Sequence, residues 1–392
     1  MIKEKLKQQK LGTPSWGYGD SGTRFHTLRR PWTPRDLNER LEDAAQVQKF
    51  TGVCPYIDLH TAWDESSDWS ETRAYAESLG LKIGAVNPHL FADDDYALGT
   101  ICHPFEKIRH KSLEKLLEGV EIAKKVGATI MSMWFADGTN MPGQDNFRKR
   151  RIYLEEAMQK VYNAMTGEMR MVIEYKFFEP AFYHMDLADW GSAYMLTNKL
   201  GERAKVLVDL GHHPLGTNIE HIVALLLHSN KLGGFHFNDK KYGDDDLTVG
   251  SIHPYQLFLI YCELAAAEQD PQLTDRVSQV ALMIDQNHNL QNQIEGTIQS
   301  VIALQTAYAK ALLVDFDALE KARSSGDVVL AEECLKDAFQ SDVRPLLKEV
   351  RAELNIDPDP LHAFRKSGYT AEKIKRRREK LTLDLINVNI TK

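Results

Sequence analysis

Two short segments of the chain combine carboxylate and imidazole side chains at spacings that suit metal ions. Asp209 and His212 are separated by Leu-Gly, and the glycine lets the chain turn so that an oxygen and an imidazole nitrogen face one centre. Asp244 and Asp246 flank Asp245 in a loop that follows a glycine, and alternate side chains of an extended loop point the same way. Each segment therefore predicts a pair of ligands, and together they favour two metal ions.

Further ionisable residues stand where other apolar segments of the chain end. They are His60, Glu174, Lys176, His236 and Asp285. A single buried histidine is more often a hydrogen-bonded core residue than a ligand, but repeated occurrence at segment ends is harder to dismiss. Carboxylates buried together need a cation, because an isolated buried anion is costly or takes up a proton. We therefore expect these residues to meet around divalent metal.

The donor types narrow the choice of metal and of ligand. The four cysteines are scattered, with no pair at the Cys-x-x-Cys spacing of a zinc finger or dithiol centre. Oxygen and imidazole donors without thiolate suit Mn²⁺, Mg²⁺ or Co²⁺, and Zn²⁺ stays open as an alternative. Two such ions can hold adjacent hydroxyls of a polyol and stabilise an alkoxide. A monosaccharide is therefore the expected substrate.

The elements that must position these residues are strands alternating with helices. Short runs of β-branched and other apolar residues predict strands at 13–16, 56–60, 82–87, 129–134, 171–176, 205–209, 234–238 and 281–285. Strict alternation indicates a parallel sheet, and eight such units predict a (β/α)₈ TIM barrel, whose active site lies at the carboxyl ends of the strands. A doubly wound open sheet is the competitor, but Gly17–Gly22 lacks a dinucleotide-binding pattern with an acidic partner.

Helix signals between the strands support this order. Apolar residues from Leu113 to Ala123 recur with helical spacing, and Gly127 can end that helix. Asn218 is a candidate cap for a helix that ends before Gly233. The pattern thus places a helix between predicted strands at both of these positions.

From Asp315 the pattern changes to helices without strands. We therefore predict a barrel domain over residues 1–314 and a C-terminal helical extension over residues 315–392. The extension is apolar enough to pack on the barrel flank or on another subunit. A basic cluster near its end is typical of a solvated helix end or a subunit contact, with nucleic-acid targeting as the minor alternative. The cluster comprises Lys373, Lys375, Arg376, Arg377, Arg378 and Lys380.

Composition and charge exclude several classes of function. The chain has 392 residues and a formal net charge of −8, which disfavours nonspecific binding to nucleic acid. Its hydrophobic fraction of 43% is sufficient for a large buried core. The Lys-rich start is not followed by the apolar core of a signal peptide, and no apolar run approaches the length of a membrane span. We therefore expect a cytoplasmic protein without membrane or nucleic-acid partners.

Four strings of residues match one known family most densely. They are Val-Asp-Leu-Gly-His-His (208–213), Gly-Gly-Phe-His-Phe-Asn-Asp (233–239), Lys-Tyr-Gly-Asp-Asp-Asp (241–246) and Met-Ile-Asp-Gln (283–286). On these strings, and over most of its length, the chain resembles the L-rhamnose isomerases of the broad-specificity bacterial type, which are relatives of the xylose isomerase-like TIM barrels. The resemblance implies conversion of L-rhamnose to L-rhamnulose, D-allose as a further substrate, two divalent ions with Mn²⁺ preferred, and a homotetramer.

The resemblance also implies roles for individual residues. The ligands of a structural metal would be Glu174, Asp209, His236 and Asp285, and those of a more mobile catalytic metal would be His212, Asp244 and Asp246. His60 would assist opening of the sugar ring, an exchange that the ordinary histidine pKa of about 6.5 suits. Lys176 would hold O1, and hydrogen would move between C2 and C1 as a hydride or as a proton with Asp285 as one candidate base. The walls of the sugar site would be Trp63, Phe91 and Trp134, with Phe25 reaching into a neighbouring subunit.

Two other functions stay open at this point. A ketose 3-epimerase on a related metal barrel needs two opposed carboxylates that exchange protons at one carbon, whereas Lys176 beside Glu174 favours transfer between C1 and C2. A barrel that binds sugar without turnover is the alternative outside enzymes. The loop Asn87–Phe91 matches the L-rhamnose isomerase family poorly and would face the far end of the sugar. The sequence therefore leaves open which aldose is preferred.

Overall fold

Eight parallel strands form a closed barrel in which each strand pairs with its two neighbours in the chain and the eighth pairs with the first. The structure is a computed structural model that describes residues 2–23, 26–178, 184–287 and 290–378, without the side chain of Thr23. The barrel strands are β1 (Leu11–Pro14), β2 (Tyr56–His60), β3 (Lys82–Asn87), β4 (Ile130–Met133), β5 (Arg170–Glu174), β6 (Ala204–Asp209), β7 (Leu232–Phe237) and β8 (Ala281–Ile284). This closure confirms the predicted barrel and excludes the open sheet.

Helices follow each barrel strand, and further helices precede β1, separate the helix after β7 from β8, and continue beyond the helix after β8. They are α1 (Ile2–Gln8), α2 (Leu37–Thr51), α3 (Trp69–Ser78), α4 (Glu106–Val126), α5 (Phe147–Ala164), α6 (Trp190–Leu200), α7 (Ile219–His228), α8 (Pro254–Ala267), α9 (Thr274–Ser278), α10 (Gln293–Ala311), α11 (Phe316–Ser325), α12 (Val328–Gln340), α13 (Arg344–Glu353) and α14 (Pro360–Lys366). Helices α2 to α8 and α10 each follow one barrel strand. Among the described residues no single helix is long and apolar enough to cross a membrane, and only α10 and α11 taken together, with a 62° bend, reach that length and hydropathy.

Local sequence signals place most of these elements correctly. Gly127 ends α4 in the left-handed conformation, with φ 72°, as expected for a glycine at this position. Asn218 stands at the start of α7, but its side chain makes no capping hydrogen bond. The first strand ends at Pro14, two residues before the predicted end, and Trp16 begins a short 3₁₀ turn instead. The Trp16 side chain is thereby free to turn toward the barrel mouth.

Side chains inside the barrel lie in layers because alternate residues of a strand point to the same face. One apolar layer consists of Ala85, Ile130, Val172, Leu207 and Met283. Two residues further along β5, β6 and the end of β8, the inward positions are Glu174, Asp209 and Asp285. The apolar layer therefore forms the floor beneath three carboxylates.

A buried carboxyl group also lies at the level of this floor. Asp58 is 2% exposed on β2, and burial raises its pKa to about 7. Glycines line the wall around it: a Cβ at Gly12 or Gly84 would lie 2.6 or 2.7 Å from an Asp58 carboxylate oxygen. Both strands therefore need glycine to accommodate this side chain.

The C-terminal helices pack on the flank of the barrel. Phe339 of α12 contacts Tyr255 and Phe258 of α8, with ring centroids 4.9 and 5.3 Å apart. Phe364 of α14 packs edge-on against Phe50 of α2 at 5.6 Å. The flank of the barrel therefore covers apolar residues of the extension within one chain.

The basic cluster divides between solvent and the barrel. Lys375, Arg376 and Arg378 are exposed, as expected for a solvated helix end. Lys373 and Arg377 are buried, which corrects that expectation for these two residues. Their partners are acidic side chains of α2: Lys373 Nζ lies 2.5 Å from Glu42 Oε2, and Arg377 pairs with Asp43 and Glu39 at 2.8 and 3.2 Å. The sequence could not reveal these partners because they lie more than 300 residues away in the chain.

We expect Arg377→Met to lower the free energy of unfolding by about 3–5 kcal/mol, because it leaves the buried carboxylates of Asp43 and Glu39 without their cation. The matched control is Arg376→Met, an exposed neighbour for which the change should stay within about 0.5 kcal/mol. Urea denaturation followed by circular dichroism measures both. Equal midpoints for Arg377→Met and the parent would contradict the anchoring role.

Candidate metal centre

Four side chains from the ends of adjacent strands meet at the mouth of the barrel. They are Glu174, Asp209, His236 and Asp285, and each offers a ligand atom such that all four atoms lie within 4.8 Å of one another. His236 Nδ1 is central, at 3.3 Å from Glu174 Oε2, 3.5 Å from Asp285 Oδ2 and 3.9 Å from Asp209 Oδ2. We call these four residues the first donor group.

A second donor group adjoins the first and shares one residue with it. It consists of Asp209, His212 and Asp244, whose ligand atoms satisfy the same 4.8 Å limit. His212 Nε2 lies 3.2 Å from Asp244 Oδ1, while its Nδ1 hydrogen-bonds the carbonyl oxygen of Tyr175 at 3.0 Å. Because a carbonyl oxygen can only accept, the hydrogen bond to Tyr175 assigns the proton of the neutral ring to Nδ1. The unprotonated Nε2 is then the atom that can bind a metal, as in many metal-binding histidines.

The turn between Asp209 and His212 brings side-chain oxygens of three residues close to Gly211. A Cβ at Gly211 would lie 3.1 Å from Asp209 Oδ1, 3.1 Å from Asn238 Oδ1 and 3.3 Å from Asp244 Oδ1. The Gly211 backbone N–H also donates to Asp209 Oδ1 at 2.7 Å. A larger residue here would have to displace these oxygens by a few tenths of an ångström, because its Cβ would meet them at less than ordinary contact distance.

Asp246 belongs to neither donor group in the described structure. Its φ of 46° lies in the left-handed region, so the extended alternation that paired it with Asp244 does not apply at this position. Burial raises the pKa of Asp246 well above its ordinary value, and the neighbouring carboxylates of Asp244, Asp285 and Asp209 add to that shift. Its role as a ligand stays a prediction.

The charges of the first group show why a cation fits it. Burial opposes ionisation of Glu174, but the imidazoles of His236 and His212 outweigh it and lower its pKa to about 2. Burial likewise opposes protonation of His236, yet Glu174, Asp285 and Asp209 raise its pKa to about 9. Burial and the other carboxylates raise the pKa of Asp209 to about 7. The group as a whole therefore attracts positive charge.

Unsatisfied polar atoms agree with this conclusion. Glu174 Oε1 and His236 Nδ1 are fully buried and make no hydrogen bond of good geometry with a described residue, although His212 Nδ1 lies 3.1 Å from Glu174 Oε1 and His236 Nδ1 lies 3.3 Å from Glu174 Oε2. Buried polar atoms are otherwise almost always hydrogen-bonded. Carboxylate oxygens with imidazole nitrogens form the donor set that Mn²⁺ and Mg²⁺ accept. The residues present therefore fit a divalent cation at each group.

Lys176 lies beside the second group rather than in it. The side chain is buried, and its Nζ forms an ion pair with Asp244 Oδ2 at 2.7 Å. The same Nζ lies 5.2 Å from the centroid of the Trp134 ring. A fixed ammonium is thus held between the donor groups and an aromatic wall.

Aromatic rings line the side of the mouth opposite the acids. The Phe91 ring lies 5.6 Å from Trp63 and 5.7 Å from Trp134, and His60 lies 4.5 Å from Trp63 and 5.4 Å from Phe91. Trp16 extends this wall at 5.6 Å from His60. The structure thus brings the predicted wall residues together.

The ionisation of His60 differs from the sequence expectation. Burial among these rings lowers its pKa to about 3, and nearby His89 and His236 contribute in the same direction. Its Nδ1 accepts a hydrogen bond from the backbone N–H of Ala62 at 3.1 Å, so the neutral ring carries its hydrogen on Nε2. His60 is therefore a neutral hydrogen-bond donor across the physiological pH range.

Two residues that support the first group were not predicted. The indole Nε1 of Trp16 donates to Asp285 Oδ1 at 2.8 Å, and the amide of Asn238 donates to Asp209 at 3.0 and 3.1 Å. Asn238 follows His236 by two residues, so the period of the strand could have indicated it. For Trp16, the only signal in the sequence is its position shortly after β1.

Other predicted features fall elsewhere. Phe25 and Lys380 lie outside the described residues. A further group of possible ligands consists of Cys102, Asp137 and Asp186. Asp186 is paired with buried Arg150, whose Nη2 lies 2.7 Å from Asp186 Oδ2, and Asp137 accepts hydrogen bonds from the backbone N–H groups of Thr100 and Cys102. Both carboxylates of this group are therefore already engaged within the protein.

Comparisons with known proteins agree with the fold. Residues 41–253 match the xylose isomerase-like TIM barrel family. A probable sugar isomerase of Rhizobium meliloti (strain 1021) is 41% identical over 381 residues, covering 94% of this chain and 86% of that protein. A probable sugar isomerase of Mesorhizobium japonicum is 39% identical over 382 residues, covering 95% and 86%.

Solved structures share the same fold at low identity. The structure of an L-ribulose 3-epimerase superposes with a TM-score of 0.52 at 15% identity, covering 82% of this chain and 98% of that chain. This similarity concerns the fold alone. Together with the family match and the long alignments to both relatives, the barrel shows that the chain belongs to the xylose isomerase-like TIM barrel family.

Proposed function

We propose that the protein is a metal-dependent aldose–ketose isomerase that interconverts L-rhamnose and L-rhamnulose, with D-allose and D-allulose as a further pair. The observation that carries the proposal is the pair of adjoining donor groups that share Asp209, with the ammonium of Lys176 held beside them. The names of both close relatives, probable sugar isomerases, support the same class of reaction. The choice of L-rhamnose rests on the resemblance of the sequence motifs.

The metal ions would be held by residues at the ends of five segments. The proposed ligands are Glu174, Asp209, His212, His236, Asp244, Asp246 and Asp285. When bound, two divalent ions, for which we propose Mn²⁺, would polarise the oxygens on C1 and C2 of the sugar.

His60 would act at the ring-opening step. Its neutral ring can donate a hydrogen bond from Nε2 to the ring oxygen of the sugar as the proton of O1 moves to that oxygen. Its Nδ1 stays bonded to the Ala62 N–H and fixes the orientation of the ring. The contact with Trp63, whose ring centroid is 4.5 Å away, limits its movement further.

Lys176 and Asp285 would serve the transfer between C2 and C1. The Lys176 ammonium can hold O1 of the open chain and stabilise negative charge that develops there. The orientation of Asp285 is set by the hydrogen bond from the Trp16 indole. Asp285 would be the base if hydrogen moves as a proton, whereas a hydride shift would need it only as a ligand. Trp63, Phe91 and Trp134 would cover the apolar face of the sugar and exclude water.

The assembly that we propose is a homotetramer, as the resemblance implies. Several large apolar side chains on the barrel helices and loops are exposed in the single chain, which supports an association surface. Examples are Phe105, Met141, Phe147 and Met195.

A ketose 3-epimerase is the second candidate because a 3-epimerase shares the fold. Epimerisation at one carbon requires carboxylates that exchange protons on opposite faces of the sugar. It has no evident use for Lys176, which the structure holds at 2.7 Å from Asp244. Isomerisation accounts for this ammonium and is therefore preferred.

The proposal predicts that chelated protein is inactive and that Mn²⁺ restores formation of L-rhamnulose from L-rhamnose. A colorimetric ketose assay with chromatographic identification of the product measures this, with D-allose tested in parallel. Conversion of one ketose to another without any reaction of an aldose would refute isomerisation and favour the epimerase. A lack of product with every divalent ion and aldose tested would favour a sugar-binding barrel.

The state of His60 gives a prediction about pH. We expect His60→Gln to lower kcat/KM for the cyclic aldose by about 10²-fold or more, because a positioned hydrogen-bond and proton-transfer group is lost. The acid limb of the pH profile should keep its position, because a histidine with a pKa of about 3 is already neutral above that pH. His110→Gln, at an exposed position on α4, is the control and should behave as the parent. A limb near pH 6.5 in the parent that disappears in His60→Gln would show that His60 titrates normally.

A further inference from the structure

Two adjacent histidines after β6 are both bound to Tyr175. His212 Nδ1 donates to the backbone carbonyl oxygen of Tyr175 at 3.0 Å. His213 Nε2 lies 2.6 Å from the Tyr175 hydroxyl, and the two rings meet edge to face with their centroids 5.3 Å apart. Tyr175 is 1% exposed and His213 is 3% exposed, so bulk water does not compete for this hydrogen bond. One tyrosine therefore holds a proposed metal ligand through its main chain and the next residue through its side chain.

Tyr175 stands between two residues of the barrel mouth. Glu174 belongs to the first donor group, and Lys176 forms its ion pair with Asp244 of the second group. Alternation along a strand turns the side chain of the residue between them away from the mouth. Accordingly, the Tyr175 ring is part of the hydrophobic core around the barrel rather than of the apolar layer inside it. We therefore expect its hydroxyl to act on the site from behind and not as a ligand.

The Tyr175 carbonyl oxygen determines which way the His212 ring faces. His212 Nε2 lies 3.2 Å from Asp244 Oδ1, and in this orientation Nδ1 faces the carbonyl that accepts its hydrogen. Glu174 Oε1 also lies 3.1 Å from Nδ1, but the contact with the carbonyl is the one that has the geometry of a hydrogen bond. A displaced carbonyl would therefore release the imidazole from its orientation toward Asp244.

The peptide unit that carries this carbonyl is held on two sides. Its N–H group, which belongs to Lys176, donates to the carbonyl oxygen of Leu187 at 3.0 Å. On the other side, the Tyr175 side chain is anchored by the bond between its hydroxyl and His213. Outer partners of this kind orient metal-binding histidines, and their loss weakens metal binding. The bond to His213 is a part of this support that the deletion of a single oxygen atom removes.

We propose that the Tyr175 hydroxyl and His213 are positioning residues of the second donor group, whose hydrogen bond fixes the Tyr175 carbonyl and thereby the His212 imidazole. The inference rests on the proposed function because it assumes that the second group binds divalent metal. The hydroxyl acts through His212, so its removal should matter only while that imidazole is present. This dependence distinguishes positioning of the ligand from a general contribution to the stability of the barrel.

The test is a titration of the metal-free protein with Mn²⁺, in which the electron paramagnetic resonance signal of free Mn²⁺ gives the dissociation constants. Tyr175→Phe removes the hydroxyl and keeps the ring and the backbone carbonyl. We expect one of the two dissociation constants to rise by about tenfold, as for other outer partners of metal-binding histidines. His213→Leu should raise the same constant, because it removes the other half of the same hydrogen bond.

Tyr261→Phe is the matched control. Tyr261 is also 1% exposed, and its hydroxyl accepts a hydrogen bond from Gln9 Nε2 at 3.3 Å, just before β1 and thus at the end of the barrel opposite the mouth. This variant likewise loses a buried hydroxyl, but it should leave both dissociation constants at their parental values. Circular dichroism checks that each variant is folded, and Tyr175→Phe decides the result if His213→Leu is not.

A second pair of proteins tests the route through His212. In a His212→Gln background the Tyr175 carbonyl no longer has an imidazole to orient. Adding Tyr175→Phe should therefore leave the remaining Mn²⁺ binding unchanged, because residues that act through one contact are not additive. A further loss of affinity in the double variant would show that the hydroxyl supports the whole mouth, which contradicts the proposed route.

The outcomes separate this inference from the function on which it rests. If the parent binds two ions and Tyr175→Phe leaves both dissociation constants unchanged, the positioning role is refuted and the two-metal proposal stands. If the parent binds fewer than two ions, the two-metal proposal itself fails, and the inference fails with it.

Discussion

Negative charge buried at the mouth of the barrel is the constraint on which the rest of the site depends. Carboxylates from three strand ends surround the His236 imidazole, at 3.3 to 3.9 Å from its Nδ1. Such a cluster is stable only if protons or a cation compensate it. The pKa of His236 is raised and that of Glu174 is lowered, which shows the strength of this demand. Two divalent ions would meet it and would also supply the chemistry of a sugar isomerase.

The barrel meets this constraint with a regular backbone and a few special residues. An apolar layer below the site fixes the strands, and the next inward positions carry the acids. Asp209 links the two donor groups, and Gly211 and Asn238 are the residues that allow its oxygens to be shared. Lys176 forms an ion pair with Asp244 of the second donor group, whereas the residues that support the first group are neutral.

The fold and much of the candidate site could be predicted from the sequence, because both depend on the regular alternation of strands and helices along the chain. Strand alternation indicates the barrel, and residues that end parallel strands must meet at one edge. Glu174, Asp209, His236 and Asp285 follow from this rule. The conformation of Asp246, the low pKa of His60 and the bond from Trp16 to Asp285 do not, because each depends on packing between distant segments. For the same reason the burial of Lys373 and Arg377 against α2 was not predicted.

The central claim is that these acids and imidazoles hold two divalent cations at positions that share Asp209. Anomalous X-ray scattering from crystals of the protein grown with Mn²⁺ tests it most directly. We expect one peak bonded to Glu174, Asp209, His236 and Asp285, and a second, of lower occupancy at limiting Mn²⁺, bonded to Asp209, His212 and Asp244. Crystals saturated with Mn²⁺ that show no anomalous peak within bonding distance of His236 would contradict the account.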